Sequence, residues 1–465
     1  MKRSLLLSLC CTIAIGFWFI PAPSAQGRRV GINVVLNTPL TSAIVADLSA
    51  HGTVLNRYDK LNAVTMRATA DQLAAIQGKP YVAAANPDAE RQGSPVDPIT
   101  ASDLSDGLNT WNLDSINVTN VGAGRTVAED GSGVFVAVLD SGLLDSWRQY
   151  FPEQRIAVQH AVAFSGGGGE VGQVSTVPNQ WEHDQNSHGT HVTSTVLGFS
   201  LRGTPINGVA PLATVIPVKV LNQSGSGWSS VVAAGIVYVA DLARGPLAGK
   251  PVVINMSLGG SRLDAIEKAA IDYAIASGVI VIAAAGNEGD AGMTYPGAYE
   301  PVVSVAASGW TGEWTPDSSW WVAKDVADGT VAADFYITDF SGRQKDGQDL
   351  DVAAPGSWVV GPYQYQSGTT SYYFLGGTSM ASPHVAGIAA LMMQKNPALR
   401  QGDIESILTR TAIELLPGCR DIVDPNVGPT RICWEADAAG AGLVTADAAL
   451  AAVGGSGSES TKRRR

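Results

Sequence analysis

The sequence predicts an α/β domain built on a mostly parallel central sheet between layers of helices, preceded by a small βαββαβ domain. Four apolar, β-branched runs, Val134 to Leu139, Thr214 to Val220, Pro251 to Asn255 and Val279 to Ala285, recur without the alternation of a half-exposed strand. Strands buried on both faces read this way. Segments of helical spacing, notably Ser229 to Ala243 and Leu263 to Ser277, lie among them, and strand–helix alternation specifies a parallel sheet with crossovers. Ahead of these, Val30 to Asn37 reads as a strand, Ser42 to Ser49 as a helix, Val54 to Ala68 as a strand pair, Ala70 to Gln77 as a helix and Tyr81 to Ala85 as a strand, a ferredoxin-like order.

The rest of the 465 residues divides by composition. Lys2 and Arg3, the apolar run Leu5 to Ile20 and the small-residue exit Pro21 to Ala25 read as a signal peptide over residues 1–25, so the chain is expected to be secreted, to an extracellular or periplasmic space. That run is short of the roughly 20 residues a spanning helix needs, and no membrane association is expected once it is removed. Cys10 and Cys11 leave with it, so Cys419 and Cys433 are expected to form a disulfide, contributing on the order of 3 kcal/mol. The formal charge of -12 argues against nucleic acid as a partner, because phosphate recognition needs excess Lys and Arg. Residues 454–465, with Lys462 to Arg465 after a Gly/Ser run, read as a flexible basic tail. Asn86 to Asn109, rich in Pro, Gly, Asp and Ser, reads as an exposed linker.

Chemistry concentrates at strand ends. Asp140, Ser257 and Asn287 each follow an apolar run, where parallel sheets bind ligands. Asp140 in Val-Leu-Asp-Ser-Gly, His188 in His-Gly-Thr-His-Val and Ser379 in Gly-Thr-Ser-Met-Ala-Ser-Pro-His occur in the order Asp, His, Ser. A serine hydroxyl is a weak nucleophile, so an imidazole must take its proton and return it to the leaving amine. His188 fits that role, and Asp140 would fix its tautomer and stabilise the imidazolium. Ser379 opens a helical stretch, whose positive end and backbone N–H can face an oxyanion. Of the other histidines, His191 and His384 read as packing and hydrogen-bonding residues, and His51, His160 and His183 carry no assigned chemistry.

These motifs and their order resemble the subtilisin-like serine peptidases, over most of the chain from about Trp111 to Val453. The resemblance implies a subtilisin-like three-layer catalytic domain over 101–453, behind an inhibitory propeptide and linker over 26–100. It also implies self-cleavage between about Glu90 and Thr110. Asn287 matches the family's oxyanion-hole asparagine. Ser257-Leu258-Gly259 and Gly225-Ser226-Gly227 resemble the two segments between which the family holds a peptide as an added strand. The pocket for the residue before the cut would be walled by Ser257 to Gly260 and by Ala284, Ala285 and Gly286. Thr294 at its floor suggests a preference for medium apolar side chains, and Trp228 reads as a rim residue or a core tryptophan. Gly198 to Asn207 lacks the carboxylates of a calcium loop; no cofactor is expected for catalysis, and a structural calcium elsewhere is left unassigned. Trp310 to Thr338, longer than the family's connection, reads as a flap on the leaving-group side or as a surface hairpin.

The expectation is a monomeric, secreted endopeptidase, made as a self-processing zymogen. It acts on proteins and peptides through Ser379 and is inhibited by its own propeptide. A narrow-specificity processing protease and a catalytically silent binding protein on the same fold are the rivals.

Overall fold

Residues Arg29 to Pro87 form an antiparallel sheet from β1 (Arg29–Leu36), β2 (Thr53–Tyr58), β3 (Ala63–Thr69) and β4 (Val82–Pro87), in the order β2-β3-β1-β4, with helices α1 (Ser42–Ser49) and α2 (Gln72–Gln77). The βαββαβ expectation is met in every element. The structure is a computed structural model that describes residues 27–101, 110–120, 124–315, 326–366 and 369–454. The signal-peptide segment, with Cys10 and Cys11, and the tail from 455 lie outside the described residues. Nine buried side chains, among them Ile32, Val34, Leu48, Met66 and Ile76, make the small domain's core.

The chain then enters the large domain. Asn86 to Asn109 was expected to be an exposed linker, but residues Glu90–Gln92 (β5) and Val96–Thr100 (β6) are strands paired with the large domain, and Arg91 is fully buried. The composition is that of a loop because these strands are borrowed. Their partners lie more than a hundred residues away, and no local pattern records them. Residues 102–109 of that stretch lie outside the described residues.

The large domain is built on β7 (Phe135–Asp140), β8 (Val162–Gly167), β9 (Thr214–Lys219), β10 (Val252–Met256), β11 (Ile280–Ala284), β12 (Val303–Trp310) and β13 (Val352–Pro355). All seven pair in parallel, in the order β8-β9-β7-β10-β11-β12-β13, with antiparallel strands at Gly172–Thr176 and Phe335–Ile337. β10 and β11 are buried at every residue, as their unbroken apolar runs predict. Helices α3 (His188–Leu197), α4 (Ser229–Arg244), α5 (Ala265–Ala276) and α6 (Thr378–Lys395) cover the sheet. Two apolar clusters, on its two faces, contain nearly all of these strands' side chains. The sheet thereby fixes the carboxyl ends of β7, β10 and β11 side by side.

The small domain rests on α4 and α5. Asp88 accepts from Ser230 N at 3.0 Å, Ser230 Oγ at 2.6 Å and Ser229 Oγ at 2.8 Å, so it caps α4 from outside the helix's own chain segment. Asn86 Oδ1 accepts from Ala265 N at 2.9 Å, at the start of α5. Asn33, buried on β1, donates to Asp88 at 3.0 Å and to Asp264 at 2.9 Å.

Cys419 and Cys433 form the expected disulfide, across directly opposed residues of a hairpin (Gly418–Asp424 with Gly428–Trp434). Gly198 to Asn207 is a hairpin. The ends of Trp310 to Thr338 pair antiparallel, Trp310 opposite Phe335, and residues 316–325, the middle of the stretch, lie outside the described residues. Trp310, Glu313 and Tyr336 are buried, and Trp314 packs on Phe374 with ring centroids 4.9 Å apart. Trp320 and Trp321 lie outside the described residues. Glu313 accepts from Trp310 N, Tyr336 Oη and Ser357 Oγ, yet burial without a cation pushes its carboxyl up to about 8.

Candidate active site

Asp140 ends β7 and His188 opens α3, and both are fully buried. The carboxylate oxygens of Asp140 lie 2.9 and 3.0 Å from His188 Nδ1. A proton on Nδ1 directed at this carboxylate leaves Nε2 as the base. Ser141 N donates to Asp140 at 2.6 Å and Ser141 Oγ to Asp184 at 2.9 Å, while Gly189 N donates to Ser141 Oγ at 2.9 Å. Lys219 Nζ closes the network on Ser141 O. Burial pushes Asp184 up to about 6 although Lys219 opposes it, and burial lowers the Lys219 ammonium. Sequence reasoning missed both residues. Asp184, four residues before His188, could have been found from its place beside that motif; Lys219 meets Asp140 only through the register of the neighbouring strand, which no local pattern records.

Ser379 is the second residue of α6, so its N–H is among those a helix leaves without an intrahelical partner. Its hydroxyl donates to Ser257 O at 3.3 Å, and His188 Nε2 has no hydrogen-bond partner among the described residues. Asn287 faces the same turn. Its Oδ1 accepts from Thr378 N and Thr378 Oγ1, each at 2.9 Å, which leaves the amide Nδ2 to donate. Gly286 precedes it at φ +105°, where a Cβ would also lie 2.5 Å from Thr294 Oγ1, so glycine is required there.

The cleft holds the chain's own segment. Glu90, Arg91 and Gln92 pair antiparallel with Trp228, Gly227 and Ser226. Gly93 N continues that side by donating to Gly225 O at 2.9 Å, and on the other side Gln92 exchanges two 2.9 Å hydrogen bonds with Gly259. A Cβ on Gly93 would sit 2.8 Å from Leu221 and 3.3 Å from His188 Cε1, so the backbone passes close against the imidazole. Beyond Ser379 the direction continues: Val96, Ile99 and Thr100 pair with Gly376, Phe374 and Tyr373. The Ser94–Pro95 bond lies between these two sets of pairings, and both residues line one cavity with Ser379, Asn287 and Thr378.

That cavity, of about 900 Å³, is also lined by Leu258, Gly259, Gly260, Ala284, Gly286, Met293, Thr294 and Trp228. Ala285 corrects the expectation, because its side chain joins the core behind the wall while its carbonyl accepts from Thr294 N. Met293 was missed. Trp228 is half-buried at the cavity rim and packs against Gly168. His191 Nε2 donates to Val359 O, and His384 sits between Met380 O and Asn112. Burial takes their imidazoles down to about 3 and about 4, so both are neutral structural residues. Among the described residues no three His, Cys, Asp or Glu side chains gather as metal ligands, and no helix is long and apolar enough to cross a membrane.

Comparisons with known proteins agree with this geometry. The sequence model of the subtilase family matches residues 131–448. A thermostable alkaline protease of Halalkalibacterium halodurans is 28% identical over 415 residues, covering 89% of this chain and 95% of the relative. Thermitase of Thermoactinomyces vulgaris is 34% identical over 263 residues, covering 57% and 76%. Among solved structures, sphericase superposes with a TM-score of 0.53 at 29% identity over 74% of this chain and 99% of its own. Fervidolysin from Fervidobacterium pennivorans, a keratinolytic enzyme related to subtilisin, reaches 0.63 at 23% identity over 92% and 62%, a likeness of fold. The chain is a serine endopeptidase acting on proteins, and it belongs to the subtilase family.

Proposed function

We propose that this endopeptidase is exported, is made as a precursor held inactive by its own residues 27–100, and works through an acyl-enzyme on Ser379. In this reading His188 Nε2 takes the Ser379 proton as the hydroxyl attacks the carbonyl, then gives it to the leaving amine, and Asp140 holds the imidazole and its positive form. Asn287 Nδ2 and the Ser379 N–H receive the oxyanion. Water then releases the acyl group by the same proton path in reverse. Ser257 to Gly259 and Gly225 to Gly227 bind a substrate as an added strand, with Gly260, Gly286 and Thr294 shaping the pocket before the cut.

The observation that carries this reading is the seating of Glu90 to Gly93 between the two cleft strands, with the chain continuing past Ser379. An inhibitor so placed excludes other peptides until it is cut or leaves. Maturation between Glu90 and Thr110 and export through the signal segment complete the proposal. Treating the matured wild type with a fluorophosphonate tests the nucleophile. The expected adduct is on Ser379, with loss of casein hydrolysis in step; hydrolysis that persists in fully labelled protein would refute it.

A further inference from the structure

Arg91 is the most deeply buried charge of the segment in the cleft, with its side chain fully excluded from water. Its Nε donates to Glu267 Oε1 at 2.9 Å and its Nη2 to Glu267 Oε2 at 2.5 Å. Nη2 also donates to Arg262 O at 3.0 Å, and Nη1 to Glu90 O at 2.8 Å. A Cβ on Gly260 would come 2.2 Å from Glu90 O and 2.8 Å from Nη1, so the absence of a side chain there opens room for the strand's backbone and for the guanidinium. The two carboxylate oxygens meet two guanidinium nitrogens in a fork, the geometry arginine makes and lysine does not.

The pair joins two parts of different fate. Glu267 stands in the first turn of α5, in the catalytic domain, fully buried. Arg91 stands on the chain that leaves on maturation, three residues before Ser94. When it leaves, a carboxylate remains at the bottom of a pocket shaped for a guanidinium, and an unpaired buried charge is costly. Burial already holds Glu267 above the usual carboxylate range even with Arg91 in place.

We propose that Glu267, with Gly260 and the Arg262 carbonyl, forms a subsite selecting arginine at the fourth residue upstream of the bond cut, so that the substrates are proteins carrying arginine there. The inference rests on the reading of Glu90 to Val96 as bound in the manner of a substrate. The preference runs in the order arginine, lysine, leucine, since lysine brings the charge without the fork. It also makes the precursor's own segment a good occupant of the cleft.

The test uses the full-length precursor, allowed to mature, and three internally quenched peptides of sequence Xaa-Gln-Gly-Leu-Ala-Val, with arginine, lysine or leucine at Xaa. Cleavage at Leu–Ala is read by mass spectrometry and kcat/KM is compared. The arginine peptide should exceed the leucine peptide by roughly 30-fold or more, the usual range for losing one partner of a buried charge pair. Glu267→Gln should bring that ratio close to one. Equal rates, or a faster leucine peptide, in a wild type that cuts both would overturn the subsite and leave the endopeptidase reading standing. That comparison needs no variant to fold. If the wild type cuts neither the peptides nor casein, the substrate-like reading falls and takes the subsite with it.

Discussion

Two sides of the cleft are built on opposite plans. On the chemical side, Asp140, His188, Ser379 and Asn287 are placed by β7, α3, α6 and the turn after β11, all within the catalytic domain, and every hydrogen bond that orients them comes from it. On the other side, the starts of α4 and α5 and the Glu267 pocket are completed by Asp88, Asn86 and Arg91 from the segment proposed to leave on maturation. The chemistry is therefore self-sufficient, while the substrate side depends on the segment it holds. Removing residues 27–94 would leave the triad intact and uncover polar groups that prefer a partner.

Substitutions on each side separate the two plans. Asn287→Ala should cost a hundred- to a thousandfold in kcat with little change in KM, the magnitude known for the corresponding donor of subtilisin. Steady-state kinetics on one peptide decides it, and a comparable rise in KM would move Asn287 to the binding side. Pro95→Ala tests the Ser94–Pro95 bond, whose residues line the cavity with Ser379. A proline there places a ring, with fixed φ and no N–H, at the leaving nitrogen, so the alanine precursor should mature on the order of tenfold faster, since small misplacements at the reacting bond are costly. Unchanged maturation in a gel time course would place the cut elsewhere.

A smaller effect sharpens the contrast. Asp88→Ala removes the α4 cap supplied in the precursor and should lower its stability by about 1–3 kcal/mol. On the Ser379→Ala background, which keeps the chain whole, thermal unfolding should show this loss. Under the proposed maturation the mature enzyme lacks Asp88, so precursors with and without the substitution should give mature enzymes of the same Tm. Glu313 belongs to neither side. Its carboxyl is raised from 4.5 to about 8 by burial, so the fold binds its proton more tightly than the unfolded chain does. The stability this gives is full below about pH 4.5 and is lost as pH rises through about 8. Glu313→Gln should flatten that decline by about 1 kcal/mol or more, read as stability against pH from 5 to 8.5.

Much of this was legible in the sequence because it is local. Asp140 and Asn287 follow apolar runs that can only be buried strands, and the βαββαβ order shows in alternation and spacing. Cys419 and Cys433 read as a pair once Cys10 and Cys11 were assigned to a signal segment. Arg91 and Glu267 were not legible, since each is a charge that local rules place in water, and only the long-range pairing of β5 buries both together. For the same reason the stretch after Pro87 read as a linker. Ala285 was assigned to the pocket wall from its place in the motif, whereas the chain leaves the strand's alternation after Ala284 and turns the Ala285 side chain into the core.

The segment through the cleft is proposed to be a self-directed substrate of Ser379. Intact mass and N-terminal sequencing of the wild-type and Ser379→Ala precursors, expressed without residues 1–25, test it most directly. The wild type should lose its N-terminal part by a cut between Glu90 and Thr110 and then digest casein, while Ser379→Ala stays whole and inactive. Trimming of both proteins at the same bond, or of neither, would contradict it.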